Sequence, residues 1–282
     1  MHPARARALK TRLDALLATR DPADARAADP VQYVHRFADA ADQEVVGFIA
    51  ASLAFGNVVA VRASVERVLA ALGPRPAEAI DAGEPALAAA LDGFVHRVYR
   101  GPHLARALAG LAAVRRGEGS LGAHVARQTE RHGFREGLAR VADALRGAGA
   151  ERGLRHLVPD PRAGSACKRL LLYCRWMVRP ADGVDLGLWP LSPAALVVPV
   201  DTHIHRIARN LGLTERNDAS WRTAEEITAA LRRLDPEDPV KYDFALCHLG
   251  VSRACPSRRD PAKCRPCVLR PVCRQWRRPK LS

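Results

Sequence analysis

Aromatic residues and lysines are scarce in this chain. Phe, Trp and Tyr make up 5 % of its 282 residues, and only five of the 44 basic residues are lysines. Few aromatics beside abundant alanine, leucine and arginine favour helices over sheets. With 48 % apolar residues, the chain has enough hydrophobic side chains for a globular core. We therefore expect an all-α protein.

The sequence also lacks a long apolar run. Its N-terminus, MHPARARALKTRLDALL, contains no segment of signal-peptide type. The longest uncharged stretch, 45–61, is interrupted by Ser52, Gly56 and Asn57, so we expect a buried helix followed by a turn rather than a membrane span. These absences favour a cytoplasmic protein without a membrane partner. In that compartment thiols stay reduced and are free to bind metal.

The cysteines near the C-terminus include only one closely spaced C-x2-C pair. Cys255, Cys264, Cys267 and Cys273 read C-x8-C-x2-C-x5-C within nineteen residues. Four thiolates are the number of donors that a metal centre needs. Structural zinc sites usually have two C-x2-C pairs, whereas one such pair flanked by longer arms is typical of a cubane iron–sulfur cluster. We expect a [4Fe–4S] cluster, with zinc or disulfides as the alternatives.

The segment 251–282 is strongly basic. It carries ten Lys and Arg residues and one acid, which gives +9 of the chain's formal net charge of +14. Guanidinium groups match phosphate oxygens, and metal-bound cysteines would fix these charges in place. We therefore expect nucleic-acid phosphates to be bound by Arg258, Arg259, Lys263 and Arg265. The alternative is a solvated basic tail.

Apolar periodicity and turn signals predict a series of helices. The predicted ranges are 4–19, 42–54, 58–72, 86–100, 103–115, 121–132, 134–147, 153–157, 166–178, 201–212, 223–234 and 239–251. Ser165 follows two prolines and a glycine, so we expect it to cap helix 166–178.

The order of these elements resembles that of the helix-hairpin-helix DNA glycosylases of the endonuclease III type. The resemblance rests on V-D-T-H-I-x-R at 200–206 and on the four-cysteine loop that follows. The string GSACKRL…RWMVR is similar to a poorly characterised bacterial branch of that superfamily. The match is specific over about 157–273 and architectural over 40–156. The hairpin-like turn at 157–165 has one glycine and two prolines where the family usually reads L-P-G-V-G.

This resemblance implies a two-lobed fold that binds DNA. A helical barrel domain over 42–198, with the hairpin-like turn at 157–165, would pack beside a domain made of 1–41 plus 199–282 that holds the iron–sulfur loop. Damaged duplex DNA would lie in the cleft between them. We expect a monomer associated with the nucleoid.

The resemblance also implies two catalytic residues. Asp201 matches the family's catalytic aspartate, which would stabilise the charge that builds on the sugar as an N-glycosidic bond breaks. Read without the motif, it is an ordinary helix N-cap. Lys168 is the candidate nucleophile, because an amine can displace the base and form a Schiff base that cleaves the strand. Arginine cannot do this; a phosphate-contacting or surface lysine is the alternative.

Four further residues complete the predicted site. Gly164 and Ser165 belong to a turn whose backbone N–H groups would bind a phosphate at a helix start, or would form a simple interhelix turn. Arg175 and Trp176 would stack on a flipped base, or Trp176 would pack in the core. The sequence thus predicts a base-excision DNA glycosylase, with or without AP-lyase activity. The alternative is a non-catalytic iron–sulfur protein that binds nucleic acid.

Overall fold

The fold was analysed in a computed structural model, which describes residues 1–19 and 21–277. Within these residues the chain is mostly helical, with one short pair of antiparallel strands. The all-α prediction is therefore confirmed. In the same residues no helix has the length and apolar character that a membrane span needs.

The helices of the first half are α1 (Pro3–Ala18), α2 (Pro22–Ala27), α3 (Ala40–Leu53), α4 (Val58–Leu72), α5 (Pro76–Ala79), α6 (Glu84–Ala90), α7 (Gly101–Glu118), α8 (Leu121–His132) and α9 (Phe134–Arg146). The second half contains α10 (Arg152–Leu157), α11 (Lys168–Val178), α12 (Thr202–Leu211), α13 (Trp221–Arg232), α14 (Asp243–Val251), α15 (Pro261–Cys264) and α16 (Arg274–Arg277). Short 3-10 turns are Pro30–Arg36, Ile80–Ala82, Pro161–Ala163, Pro193–Ala195 and Arg270–Val272.

The predicted helix 86–100 is wrong in its second half. Helix α6 ends at Ala90, and strands β1 (Val95–His96) and β2 (Tyr99–Arg100) form a tight hairpin. Arg97 at its tip has a left-handed φ of 56°. β-branched and aromatic residues suit strands, so the alanine-rich pattern that favours helix stops before them.

Helix α11 begins later than predicted. Cys167 precedes it in a left-handed conformation, with φ 46° and ψ 34°, so the helix starts at Lys168 instead of 166. Ser165 does not cap it; its Oγ accepts from the Cys167 N–H at 3.3 Å. The backbone of Ser165 pairs with Ser220 instead, which ties the hairpin-like turn to the start of α13.

Helix α3 lies at the centre of a group of packed helices. It packs against α4, α5 and α11, and a Cβ on Gly47 would lie 2.5 Å from Met177 Cε. Glu44 on this helix is buried and accepts hydrogen bonds from the N–H groups of Leu121 (3.0 Å) and Gly122 (2.9 Å) and from the indole of Trp189 (2.8 Å). One carboxylate therefore joins α3, the start of α8 and the loop before α12.

The N-terminal helix contacts the C-terminal third of the chain. The Arg5 guanidinium donates to Leu211 O at 2.7 Å, and the Tyr242 hydroxyl donates to Asp14 Oδ1 at 2.6 Å. Helices α12 and α14 pack closely. Gly250 makes this possible because it has no Cβ, which would lie 2.4 Å from His203 Cβ. The domain boundaries, 42–198 against 1–41 plus 199–282, stay a prediction.

Candidate active site

Lys168 and Asp201 meet where two helices begin. Lys168 is the first residue of α11, and Asp201 is the N-cap of α12. Asp201 Oδ1 accepts from the Ile204 N–H at 2.8 Å, while Oδ2 lies 3.7 Å from Lys168 Nζ. Because one carboxylate oxygen is held by the backbone, the other faces the lysine in a fixed direction.

Both side chains line a cavity of about 590 Å³. One wall is a face of α14, where Asp243, Cys247 and Val251 follow at helical spacing. The thiol of Cys247 lies 3.8 Å from Asp201 Oδ2. The cavity therefore brings an amine, two carboxylates and a thiol together, and it is partly enclosed by apolar side chains such as Phe55.

Asp243 is the most unusual of these groups. Its side chain is 4 % exposed, and Oδ2 accepts from Arg175 Nη1 at 3.0 Å. Oδ1 has no hydrogen-bond partner among the described residues. Burial raises the pKa of this carboxyl to about 6; Arg175 opposes the shift and the nearby Asp201 carboxylate adds to it. A buried acceptor without a donor is costly unless a ligand satisfies it.

Arg175 and Trp176, which were predicted to stack on a flipped base, lie inside the protein. Trp176 is fully buried and Arg175 is 1 % exposed; the stacking role itself stays a prediction. Arg175 instead donates to Asp185 (2.9 and 3.1 Å) and to Asp243. It lines the cavity but acts there by holding Asp243, and Trp176 follows the core alternative.

A basic groove adjoins the cavity on the side of the hairpin-like turn. Its basic lining residues are Arg146, Arg155, His156, Lys168 and Arg169. Ser165 also lines it, and the preceding Gly164 has φ +83°, a conformation that favours glycine. Both residues are exposed. Lys168 and Phe55 line both the groove and the cavity. An extended ligand bound in the groove would therefore lie next to the Lys168 amine.

The four cysteines of the C-terminal loop face one small pocket. Cys255, Cys264, Cys267 and Cys273 line it together with apolar residues of α12 and α14, and none forms a disulfide. Burial raises the pKa of Cys255 to about 11, and the other three thiols add to the shift because they are close. Within the described residues no His, Cys, Asp or Glu group of three or more has a preformed metal-binding arrangement. The donor set and its apolar surroundings nevertheless fit a thiolate-ligated cluster.

The basic residues predicted to bind DNA lie on this loop. Arg258, Lys263 and Arg265 are exposed, and the Arg259 guanidinium lies 4.5 Å from the Trp276 ring centroid. Among the described residues, those lining the cavity and the groove do not include these four, so the structure does not bring them to Lys168. Arg278 and Lys280, also basic residues of 251–282, lie outside the described residues.

Sequence reasoning missed Asp243 as a site residue. Asp243 reads as an acid in the first turn of a helix, which is its ordinary position. Cys247 is half-buried, and its thiol contacts Asp201 at 3.8 Å. The i, i+4 spacing of Asp243 and Cys247 on a helix close to the cysteine loop is the signal that could have paired them.

The chain matches a known protein family over residues 29–252 of its 282. The cavity residues from Asp29 to Val251 lie inside the matched segment, and the four cysteines of the loop lie beyond it. No curated protein and no solved structure matches the chain. The chain therefore belongs to the family described as protein of unknown function DUF2400.

Proposed function

We propose that this protein is a base-excision DNA glycosylase with AP-lyase activity. The observation that carries the proposal is the 3.7 Å approach of Lys168 Nζ to Asp201 Oδ2 in one cavity beside a basic groove. The V-D-T-H-I-x-R resemblance supports the same pair. The finer fold expectation, a helix-hairpin-helix glycosylase with a barrel domain and a cluster loop, is part of this proposal.

Asp201 would stabilise the sugar as the glycosidic bond breaks. Positive charge develops on the sugar ring in such a reaction, and a preorganised carboxylate beside it stabilises the transition state more than the ground state. The Ile204 N–H holds Oδ1 at 2.8 Å, so little reorganisation is needed when the charge appears.

Lys168 would form the covalent intermediate. Overall, one ammonium proton goes to the departing base, the bond between the sugar C1′ and the base breaks with its electron pair on the base, and a bond from Nζ to C1′ forms. The C1′–O4′ bond then breaks as a proton moves from the nitrogen to O4′, which gives a Schiff base. Loss of a C2′ proton to water lets the C3′–O bond break with its electron pair on the departing 3′-phosphate, and this cleaves the strand. The side chain is 32 % exposed, so the amine is accessible from the groove.

Phosphate binding would come from two surfaces. Exposed Gly164 and Ser165, with the arginines of the basic groove, would hold the strand near Lys168. A [4Fe–4S] cluster, with zinc as the alternative, would be held by Cys255, Cys264, Cys267 and Cys273. When bound, the cluster supplies a rigid anchor for the loop that carries Arg258, Arg259, Lys263 and Arg265.

A non-catalytic nucleic-acid-binding protein is the second candidate. The observation that favours it is that Asp201 already has two ordinary structural roles: it caps α12 and pairs with Lys168. A protein that only binds DNA would need no more from these residues than helix capping and a half-buried ion pair.

Borohydride trapping separates the two candidates. Wild-type protein should form a covalent complex with an abasic duplex, and Lys168→Gln should abolish it because only the amine can form the imine. Lys241→Gln is the matched control, since Lys241 is another half-buried lysine paired with an aspartate. Asp201→Asn keeps the cap geometry and should lower excision on the order of a hundredfold or more.

The outcomes are distinct. Base release that survives in Lys168→Gln but not in Asp201→Asn indicates a glycosylase without lyase activity. If a panel of damaged-base duplexes shows no excision and abasic DNA shows no trapping, the catalytic proposal is wrong and the binding protein stands.

A further inference from the structure

We propose that the Asp243 carboxylate reads the edge of the extrahelical base by accepting a hydrogen bond from a ring N–H group. The site would then select bases that present a ring N–H, as in lactams and imides, over bases with an unprotonated ring nitrogen at that place. This inference deepens the proposed glycosylase function and rests on it.

The first support is the unsatisfied oxygen. Arg175 Nη1 occupies Oδ2 at 3.0 Å, and Oδ1 has no hydrogen-bond partner among the described residues. Buried acceptors are almost always paired in native proteins. The side chain lines the cavity, so the inference pairs Oδ1 with a donor of a ligand that packs against this wall.

The second support is the position of Asp243 relative to the reacting groups. Asp201 and Lys168 are close enough to act electrostatically on its carboxyl, so all three groups surround the same space. Phe55 and Phe244 line this space as well, and apolar aromatic walls are usual where enzymes hold a flipped base. A base whose sugar lies beside Lys168 therefore has Asp243 within the same cavity.

The chemistry of the carboxylate defines the selection. An ionised carboxylate only accepts hydrogen bonds. A ring N–H satisfies it, whereas an unprotonated ring nitrogen would place one acceptor against another and leave the charge buried and unpaired. Donor complementarity to a base edge of this kind is worth roughly a tenfold preference or more.

The selection should depend on pH in one direction. The pKa of Asp243 is about 6, so above that value the carboxylate is ionised and prefers a donor. Below it the carboxyl carries a proton, which it can donate to a ring nitrogen, and the preference shrinks. The preference should rise by up to about tenfold per pH unit above the pKa. The charged and titratable groups that face Asp243 or share its cavity are Lys168, Arg175, Asp201, Cys247, Asp29, His203 and His248.

The experiment compares two pairs of probe bases that differ in the protonation of one ring nitrogen and in the exocyclic group beside it. Duplexes carry a 2′-fluoro nucleotide, which resists base loss, opposite a mismatched base that makes extrusion easy. Uracil is compared with cytosine and hypoxanthine with adenine, because each pair exchanges a ring N–H and its neighbouring carbonyl for an unprotonated ring nitrogen and an amino group at nearly constant size. Dissociation constants are measured from about pH 5 to about pH 8, and each ratio cancels effects common to both probes.

Two variants isolate the carboxylate. In Asp243→Asn, Arg175 should hold the amide oxygen and leave the NH₂ group at the position of Oδ1, so the preference should reverse and lose its pH dependence. Asp185→Asn is the matched control: Asp185 is equally buried and binds the same Arg175, but within the described residues it does not line the cavity. It should retain the wild-type ratios.

Each result decides the matter. Equal affinities in the wild type, a ratio unchanged in Asp243→Asn, or an equal loss in both variants overturns the inference. If Asp243→Asn does not fold, a wild-type ratio that is constant over the pH range overturns it as well. Wild-type protein that traps abasic DNA but shows no base preference refutes the Asp243 inference alone, whereas absence of trapping and excision refutes the proposed function.

Discussion

The buried carboxylate of Glu44 should contribute several kcal/mol to stability, and Glu44→Gln measures this. Glu44 Oε1 accepts from the Gly122 N–H and the Trp189 indole, and Oε2 accepts from the Leu121 N–H. A glutamine that keeps its oxygen at the position of Oε1 would place its NH₂ against the Leu121 N–H. That buried donor would lose its acceptor.

The magnitude follows from two main losses, beside a weaker one, the 3.8 Å ion pair of Oε2 with Arg115 Nε. A buried N–H without an acceptor costs about 1–3 kcal/mol. Removing a carboxylate from the N-terminus of α8 costs a further 0.3–1 kcal/mol, or about 2 kcal/mol when buried. The expected decrease in the free energy of unfolding is therefore about 3 kcal/mol, which corresponds to a fall in Tm of about 5 °C for a chain of this length.

Urea unfolding followed by circular dichroism measures the change. Glu66→Gln is the matched control, because Glu66 is half-exposed and pairs with Arg36 at 2.8 Å; such a surface pair contributes about 0–1 kcal/mol. If Glu44→Gln is within 1 kcal/mol of the wild type, the three hydrogen bonds do not carry the stabilisation argued here.

Two further predictions concern the C-terminal loop. Anaerobically purified protein should be brown, with broad absorption near ~400 nm from a thiolate-ligated cluster. The variant Cys264→Ser should lose this absorption, and Cys174→Ser, a change of a core residue, should keep it. About one zinc per chain without labile sulfide would contradict the iron–sulfur assignment. DNA affinity should fall steeply with salt, by about 0.9 log units per log unit of salt for each phosphate contacted. Replacing Arg258 and Arg259 together by alanine should reduce that slope for any duplex, and a slope near zero in the wild type would argue against a nucleic-acid ligand.

The sequence predicts most helices because their signals are local. Helices α4 and α8 have the predicted bounds, since Asn57 and Ser120 cap their starts. The hairpin after α6 was missed because the alanine-rich helical pattern appeared to continue into the residues that form the strands. The left-handed backbone of Arg97 cannot be detected from the spacing of apolar residues. Turn conformation likewise decided that α11 begins after Cys167 rather than at 166.

The candidate site was only half predictable for a similar reason. Lys168 and Asp201 could be paired from the sequence because each lies in a short segment, GSACKRL and V-D-T-H-I-x-R, that is recognisable by itself. The role of Asp243 depends on Arg175, which lies 68 positions away, and on which face of α14 is buried. The sequence left both a stacking role and a core position open for Trp176, because the orientation of a helix face depends on partner helices that are distant in the chain.

The glycine contact between α12 and α14 bears on how the cavity can respond to a ligand. A Cβ on Gly250 would lie 2.4 Å from His203 Cβ, so the two helices are in direct contact at this point. Interiors packed this closely transmit displacement instead of absorbing it. Asp201 on one helix and Cys247 on the other therefore form a rigid template. A ligand has to adopt the shape of this wall, because the wall cannot close around the ligand.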